Sequence, residues 1–175
     1  MADKLYLIDG SAFAYRAFFA IRGLTNSKGQ PTNAVYGFAR MLLKLLREHD
    51  PSHIAVIFDA PGKTFRDDLY AEYKATRQAT PDDLKSQFPL MHELVHAFDI
   101  HLVVEPGVEA DDVMGTLAKR ATAHGMEAVL VTGDKDMLQL IGEKVRVFDP
   151  GKGDSGVYLT ETDVRERFGV GPENV

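Results

Sequence analysis

The 175-residue sequence contains no cysteine, which excludes disulfides and thiolate chemistry and leaves oxygen and imidazole as available metal ligands. It lacks any apolar run long enough to span a bilayer, and its opening MADKLYLIDG has no stretch of signal-peptide character. A cytoplasmic protein without a membrane partner is the expectation, and the absence of cysteine suits a reducing compartment. Positive charge is also in short supply, since 20 Lys and Arg stand against 26 Asp and Glu for a net charge of −6. Nucleic-acid binding needs cations against phosphate, so any such function must rest on segregated charge. Internal repeats and low-complexity linkers are missing too. The length fits a single domain able to bury a core.

What is present is an alternation of short β-branched runs with longer helical periods, the pattern of βαβ units and a mostly parallel sheet flanked by helices. Strands are predicted at Leu5 to Asp9, His53 to Asp59, Ile100 to Val104, Ala128 to Thr132 and Val145 to Phe148. Helices are predicted over Ala34 to Arg47 with Asn33 as cap, over Pro81 to Phe98, and over Glu109 to Ala123 ending at Gly125. Thr160 is placed to cap a helix through Phe168, and Pro172 to open a further one.

The acids are not scattered. Predicted strands close on Asp9 and Asp59, and a third leads through Gly133 to Asp134 and Asp136. In a parallel sheet the carboxyl ends of the strands share one edge, where ligands bind. The helix opening at Val108 adds Glu109, Asp111 and Asp112 to the same edge. Any one of these could serve as a cap, a dipole partner or a turn residue. Seven together repel one another and bind protons unless a cation neutralises them. Oxygen-only ligands select Mg²⁺ or Mn²⁺, and two such ions about 4 Å apart can stabilise both oxygens of an in-line phosphodiester displacement.

The bases collect elsewhere. Lys63 and Arg66 lead through Tyr70, Tyr73, Lys74 and Arg77, and on a continuous helix Arg66, Tyr70, Tyr73, Lys74 and Arg77 would share one face. Cations interleaved with rings suit single-stranded nucleic acid, phosphates on the one and bases on the other. The bland alternative is solvated cations beside tyrosines at the edge of the core. Arg16, on the helix after Asp9, is a further phosphate candidate.

Three signatures point elsewhere and do not hold. His92-Glu93-Leu94-Val95-His96 fits the zinc-protease pattern, yet its helix has an apolar stripe and no third ligand is evident. Gly151 to Gly156 matches a dinucleotide fingerprint but runs into the strand pattern Val157-Tyr158-Leu159, which makes it a hairpin turn. Gly62-Lys63-Thr64 ends like a P-loop, with Ile57 where the earlier glycine belongs.

In order along the chain, LYLIDGS, TNSKGQPTNAVYGF, VIFDAPGKTFRDDLYAEYKATR, GVEADD and TGDKDMLQL resemble the N-terminal 5′ nuclease domains of bacterial DNA polymerase I, within the flap endonuclease family. The resemblance covers almost the whole chain and implies one PIN-like 5′ nuclease domain over residues 1–175. It implies a metal-dependent 5′-3′ exonuclease or flap endonuclease that hydrolyses DNA and RNA-primer phosphodiesters near 5′ ends or flap junctions. Asp9, Asp59, Glu109 and Asp111 match ligands of one metal, Asp134 and Asp136 those of a second, and Asp112 an acid beside it. Residues 62–80 match a helical gateway, in which Lys74 and Arg77 steer the scissile phosphate and Tyr73 stacks on a base; Arg16 matches a phosphate contact.

The implied cofactor is a pair of Mg²⁺ ions, with Mn²⁺ able to substitute. The implied partners are DNA with a 5′ flap or free 5′ end, RNA primers, and a polymerase domain in the same or another chain, acting on a monomer in a bacterial cytoplasm. The family pattern continues past Val175 into a helical hairpin that grips duplex DNA, so this chain by itself is expected to be a weakened or manganese-dependent nuclease. Two other functions share part of the pattern: a non-catalytic nucleic-acid binding domain and a PIN-like ribonuclease.

Overall fold

The computed structural model describes residues 3–70, 79–152 and 155–175. Along the chain run β1 (Lys4–Asp9), α1 (Gly10–Ala20), α2 (Asn33–His49), β2 (His53–Asp59), α3 (Phe65–Leu69), α4 (Asp82–Lys85) and α5 (Phe88–Ala97). There follow β3 (His101–Glu105), α6 (Ala110–Ala123), β4 (Glu127–Val131), β5 (Val145–Asp149), β6 (Val157–Leu159) and α7 (Glu161–Phe168). Short 3-10 turns lie at Asp136–Leu140 and Pro172–Asn174, so the helix expected to open at Pro172 is a single turn. Among the described residues no helix is long and apolar enough to cross a membrane.

The strands form one sheet in the order β3-β2-β1-β4-β5-β6, parallel except for β6. Side chains alternate across it. Tyr6 and Ile8, Val56 and Phe58, Val129 and Val131 enter the core built with α1, α2 and α5. Leu7, Ala55, Ile57, Ala128 and Leu130 enter the opposite core, built with α6. Burial on both faces is why these strands read as unbroken apolar runs. The antiparallel β5–β6 pair is the hairpin expected around Gly151 to Gly156.

Two helical expectations are corrected. Asn33 is not the cap of α2 but its first residue, and its side-chain amide turns back to donate to the carbonyls of Phe18 and Ile21 at 2.8 and 2.7 Å, closing the end of α1. Gln87 takes over the capping: its Oε1 accepts from the N–H groups of Ala34 and Val35 at 2.8 and 3.2 Å. The helix predicted over Pro81 to Phe98 divides into α4 and α5 around Ser86 and Gln87. Pro89 has no N–H for the Lys85 carbonyl and its ring crowds that group, which ends the first piece.

The strand order fixes where a site can form. From β1 the chain builds outward through β2 to β3, then returns to start β4 on the other side of β1. The crevice outside the carboxyl ends of β1 and β4 is therefore the switch point at which open α/β sheets bind ligands.

Candidate active site

Asp9 ends β1 in that crevice and is buried, with 4 % of its surface exposed. Its Oδ1 accepts from the Ala12 N–H at 2.9 Å as the N-cap of α1, and its Oδ2 accepts from the Thr132 hydroxyl at 2.9 Å. Burial raises its pKa; the two hydrogen bonds oppose that, and the charges of Asp59 and Asp134 add to it. Thr132 itself is wholly buried, and its oxygen accepts from the Asp134 N–H at 3.0 Å. One hydroxyl thus ties the end of β1 to the loop after β4.

Asp59 ends β2 and accepts from the Ala110 N–H at 2.8 Å, which docks the start of α6 onto the strand. The Ser11 hydroxyl accepts from the Asp59 N–H at 2.9 Å, so this serine serves β2 rather than helping Asp9 cap α1. Glu109 is the N-cap residue of α6, and Asp111 lies in its first turn. Asp111 is half-buried and its pKa is pushed up to about 7, by burial first and then by Asp9, Asp134, Asp59 and Glu109. Five of the seven predicted carboxylates therefore share one field.

The other two stand apart. Asp112 accepts two hydrogen bonds from the guanidinium of Arg66, the Nη2–Oδ1 contact being 2.7 Å, and also takes the Glu109 N–H at 3.4 Å. Asp136 is exposed at the start of its 3-10 turn, where its N–H donates to Asp134 Oδ1 at 2.9 Å. Among the described residues no three acidic or imidazole groups close around one point as a finished coordination set.

The gateway segment departs from expectation. A continuous helix from Arg66 to Arg77 does not form: α3 stops at Leu69, and Tyr70 is extended with φ −145° and ψ 102°. The anchors of α3 lie at its beginning, where Thr64 and Asp67 make a capping box and the Phe65 N–H donates to the Gly107 carbonyl at 2.9 Å. Beyond them Leu69 and Tyr70 are exposed. Lys63 is exposed in the turn before α3. Tyr73, Lys74 and Arg77 lie outside the described residues.

Arg16, half-exposed on α1, donates from Nη1 to Asp149 Oδ1 at 3.1 Å. In the zinc-protease look-alike, the His92 ring packs edge-on against Phe58 at 4.7 Å, as a core-edge residue does. Sequence reasoning missed Thr132 and Gln87. For Thr132 a signal existed in its place between the end of a strand and Gly133-Asp134; for Gln87 there was none.

The donors on this edge are all oxygens, and burial first, then four other carboxylates, push the pKa of the half-buried Asp111 up to about 7. That is a site whose electrostatics a divalent cation would satisfy.

A family profile described as the N-terminal, resolvase-like domain of 5′-3′ exonucleases matches residues 4–169. DNA polymerase I of Chloroflexus aurantiacus is 49% identical over 177 residues, covering 98% of this chain and 19% of the polymerase. A 5′-3′ exonuclease of Aquifex aeolicus is 44% identical over 171 residues, covering 98% of this chain and 58% of its own length. The chain thus spans about a fifth of the polymerases and just over half of the exonuclease.

Among solved structures, a T5 5′-exonuclease with bound zinc superposes with a TM-score of 0.70 at 22% identity, covering 97% of this chain and 63% of that one. The catalytic core of Rad2 in complex with a DNA substrate superposes at 0.59 and 22% identity, covering 99% and 51%. At those identities the likeness is one of fold. The family match over nearly the whole chain places this protein among the 5′-3′ exonucleases, as their N-terminal resolvase-like domain.

Proposed function

We propose that this chain holds the catalytic centre of a divalent-metal-dependent 5′ nuclease, hydrolysing phosphodiesters of DNA and of RNA primers near 5′ ends or flap junctions. The observation that carries this reading is the gathering of Asp9, Asp134, Asp59 and Glu109 around Asp111 at the crevice between β1 and β4, where their charges add to burial in raising its pKa. Structural carboxylates are spread over caps and ion pairs; five facing one crevice match a cation site. The metal-bound T5 exonuclease and the DNA-bound Rad2 core, which share the fold, support the same class of ligand.

Asp9, Asp59, Glu109 and Asp111 would hold one ion, and Asp134 with Asp136 a second, Asp112 lying beside them. Mg²⁺ is the expected ion and Mn²⁺ a substitute, because the donors are hard oxygens. A bound ion supplies Lewis acidity and an activated water. The chain's residues do the rest. Thr132 and the α1 backbone fix Asp9, and Asp59 fixes the start of α6. Lys74 and Arg77 would carry charge developing on the phosphate, while Lys63, Tyr70 and Tyr73 would line the path of a free 5′ strand. A polymerase domain, in this or another chain, would supply the partner activity at the same DNA.

A 5′-labelled DNA flap incubated with the chain in Mg²⁺, in Mn²⁺ and in EDTA tests the reading. Metal-dependent cutting near the junction, lost in Asp9→Asn and Asp134→Asn, is the expected result. Flap binding that ignores metal, without cutting even when the longer relatives' following segment is appended, would replace it with a non-catalytic binding domain.

A further inference from the structure

Gly133 and Gly151 are glycines that the backbone does not require. Neither has the positive φ that sets Gly23, Gly29, Gly62, Gly107, Gly125, Gly156 and Gly169 apart. What a side chain there would displace is the tip of Arg16. A Cβ placed on Gly133 would lie 1.9 Å from Arg16 Nη2, and one on Gly151 would lie 2.0 Å from Nη1. The guanidinium therefore slides between two bare Cα faces, one in the loop after β4 and one in the turn after β5. Asp149 closes the end of this slot, accepting from Arg16 Nη1 at 3.1 Å and from the Gly151 N–H at 2.9 Å.

The slot borders the carboxylate edge. Gly133 lies between Thr132, which bonds Asp9, and Asp134. Register explains how it forms: Val131 pairs with Phe148, so the residues after each strand leave the sheet side by side. Among the described residues Asp149 is the acceptor Arg16 meets, and a guanidinium carries five N–H donors in a planar fork. The side chain remains 42% exposed, so donors stay open to an anionic oxygen.

We propose that Asp149, Gly133 and Gly151 form a slot that pre-orients Arg16 beside the carboxylates, and that Asp149 and Gly151 are positioning residues acting through Arg16. This rests on the nuclease reading above, with a backbone phosphate of the nucleic acid as the anion. Pre-orientation removes the rotamer freedom that a long cationic side chain otherwise loses on binding. The effect therefore falls on substrate affinity, not on the fold.

Gly151→Ala is the decisive variant, because it keeps Arg16 and Asp149 and only fills the slot. A flexible side chain tip can move away cheaply, so the melting temperature should stay within about 2 °C of wild type. Steady-state cutting of a 5′ flap in Mn²⁺ should show KM raised about tenfold in Gly151→Ala and in Arg16→Ala, with kcat changed less than about twofold. Because both variants remove the same placed guanidinium, the double variant should be no worse than either. Asp149→Asn should fall between them and wild type. Gly142→Ala, where an added Cβ meets nothing within 4 Å, is the control and should leave KM unchanged.

A normal KM in Gly151→Ala beside an impaired Arg16→Ala, or additive losses in the double variant, would overturn the proposal. A substrate-free arm separates this from failure of the nuclease reading itself. The Arg16 Nη–Hη NMR signals should be resolved and protected in wild type and averaged out in Gly151→Ala. If wild type cuts no flap in either metal even with the longer relatives' following segment appended, the nuclease reading falls and takes the positioning role with it. A signal indifferent to Gly151→Ala would refute the slot.

Discussion

Arg66 on α3 and Asp112 on α6 grip each other in a two-point contact, 46 residues apart in sequence, with Nη2 donating to Oδ1 at 2.7 Å and Nη1 to Oδ2. A cation expected to face nucleic acid and an acid expected beside metal are thus each other's partner. With the Phe65 N–H bond to the Gly107 carbonyl, the pair pins the start of the gateway segment to the start of the helix carrying Asp111.

The pair's contribution is measurable. Its side chains are 32% and 30% exposed, and an exposed pair contributes little, so the two-point geometry puts the coupling at about 1 kcal/mol. A double-mutant cycle of Arg66→Ala and Asp112→Ala in urea unfolding should return that value. A coupling near zero would show that the two merely lie close. If Asp112 instead acts mainly through bound metal, Asp112→Asn will raise the Mg²⁺ concentration needed for cutting and leave unfolding unchanged.

Asp111 makes stability depend on pH in an unusual direction. Its pKa is raised from 3.8 to about 7, so the folded chain retains a proton that the unfolded chain releases. Stability from this group is full below about pH 4, falls as pH rises toward 7, and stays lost above it. Asp111→Asn removes the penalty and should stabilise the protein in EDTA at pH 8. Half-burial and solvent screening reduce the gain to roughly 1–2 kcal/mol. Thermal melts in EDTA from pH 4 to 8 should show the gap between variant and wild type opening with pH. Added Mg²⁺ should narrow it by stabilising the wild type alone. A gap constant across that range would mean that Asp111 is not the group being strained by its neighbours.

Most of the site's acids were readable in the sequence because a parallel sheet sends every strand end to one edge. Asp9, Asp59 and Asp134 follow from LYLID, VIFD and VTGD, and Glu109 and Asp111 from the next helix start. What was not readable depends on which loops lie side by side. Gln87 caps a helix 53 residues away, Thr132 reaches Asp9 across 123, and Asp149 meets Arg16 across 133. No local pattern encodes such contacts. The end of α3 escaped for a related reason, since helical spacing from Arg66 onward does not record that the backbone turns extended at Tyr70.

Gln87 should be among the more costly polar positions to replace. It is wholly buried, and its Nε2 donates to Asn33 Oδ1 and to the Asp83 carbonyl, both at 2.9 Å, while its Oε1 caps α2. Gln87→Leu keeps the bulk but leaves two N–H groups and two carbonyl-type oxygens without this partner. A loss of about 2–4 kcal/mol is expected, or on the order of 5–12 °C in melting temperature. Differential scanning calorimetry checks it, and a loss below about 1 kcal/mol would mean that α2 recaps itself. None of its bonded partners is one of the clustered carboxylates, so the variant should retain its cutting rate per folded molecule at low temperature.

Asp9 carries a structural and a chemical duty on separate oxygens, and two substitutions pull them apart. Asp9→Asn keeps an acceptor for the Ala12 N–H but presents an N–H₂ group where the Thr132 hydroxyl now donates. Losing a buried charge among Asp59, Asp111 and Asp134 offsets that, so its melting temperature in EDTA should match or exceed wild type. Asp9→Ala loses the N-cap, which costs about 1 kcal/mol, and strands the Thr132 hydroxyl. Stability should therefore rank Asp9→Asn above Asp9→Ala. Cutting should rank neither, because both remove the anionic ligand, and both should fall to the level of the EDTA control. Paired melting curves and flap assays on the two variants decide the matter. If cutting instead tracks stability, with Asp9→Asn near wild type, then Asp9 serves only as the cap of α1 and the metal centre must be sought among Asp59, Asp111 and Asp134.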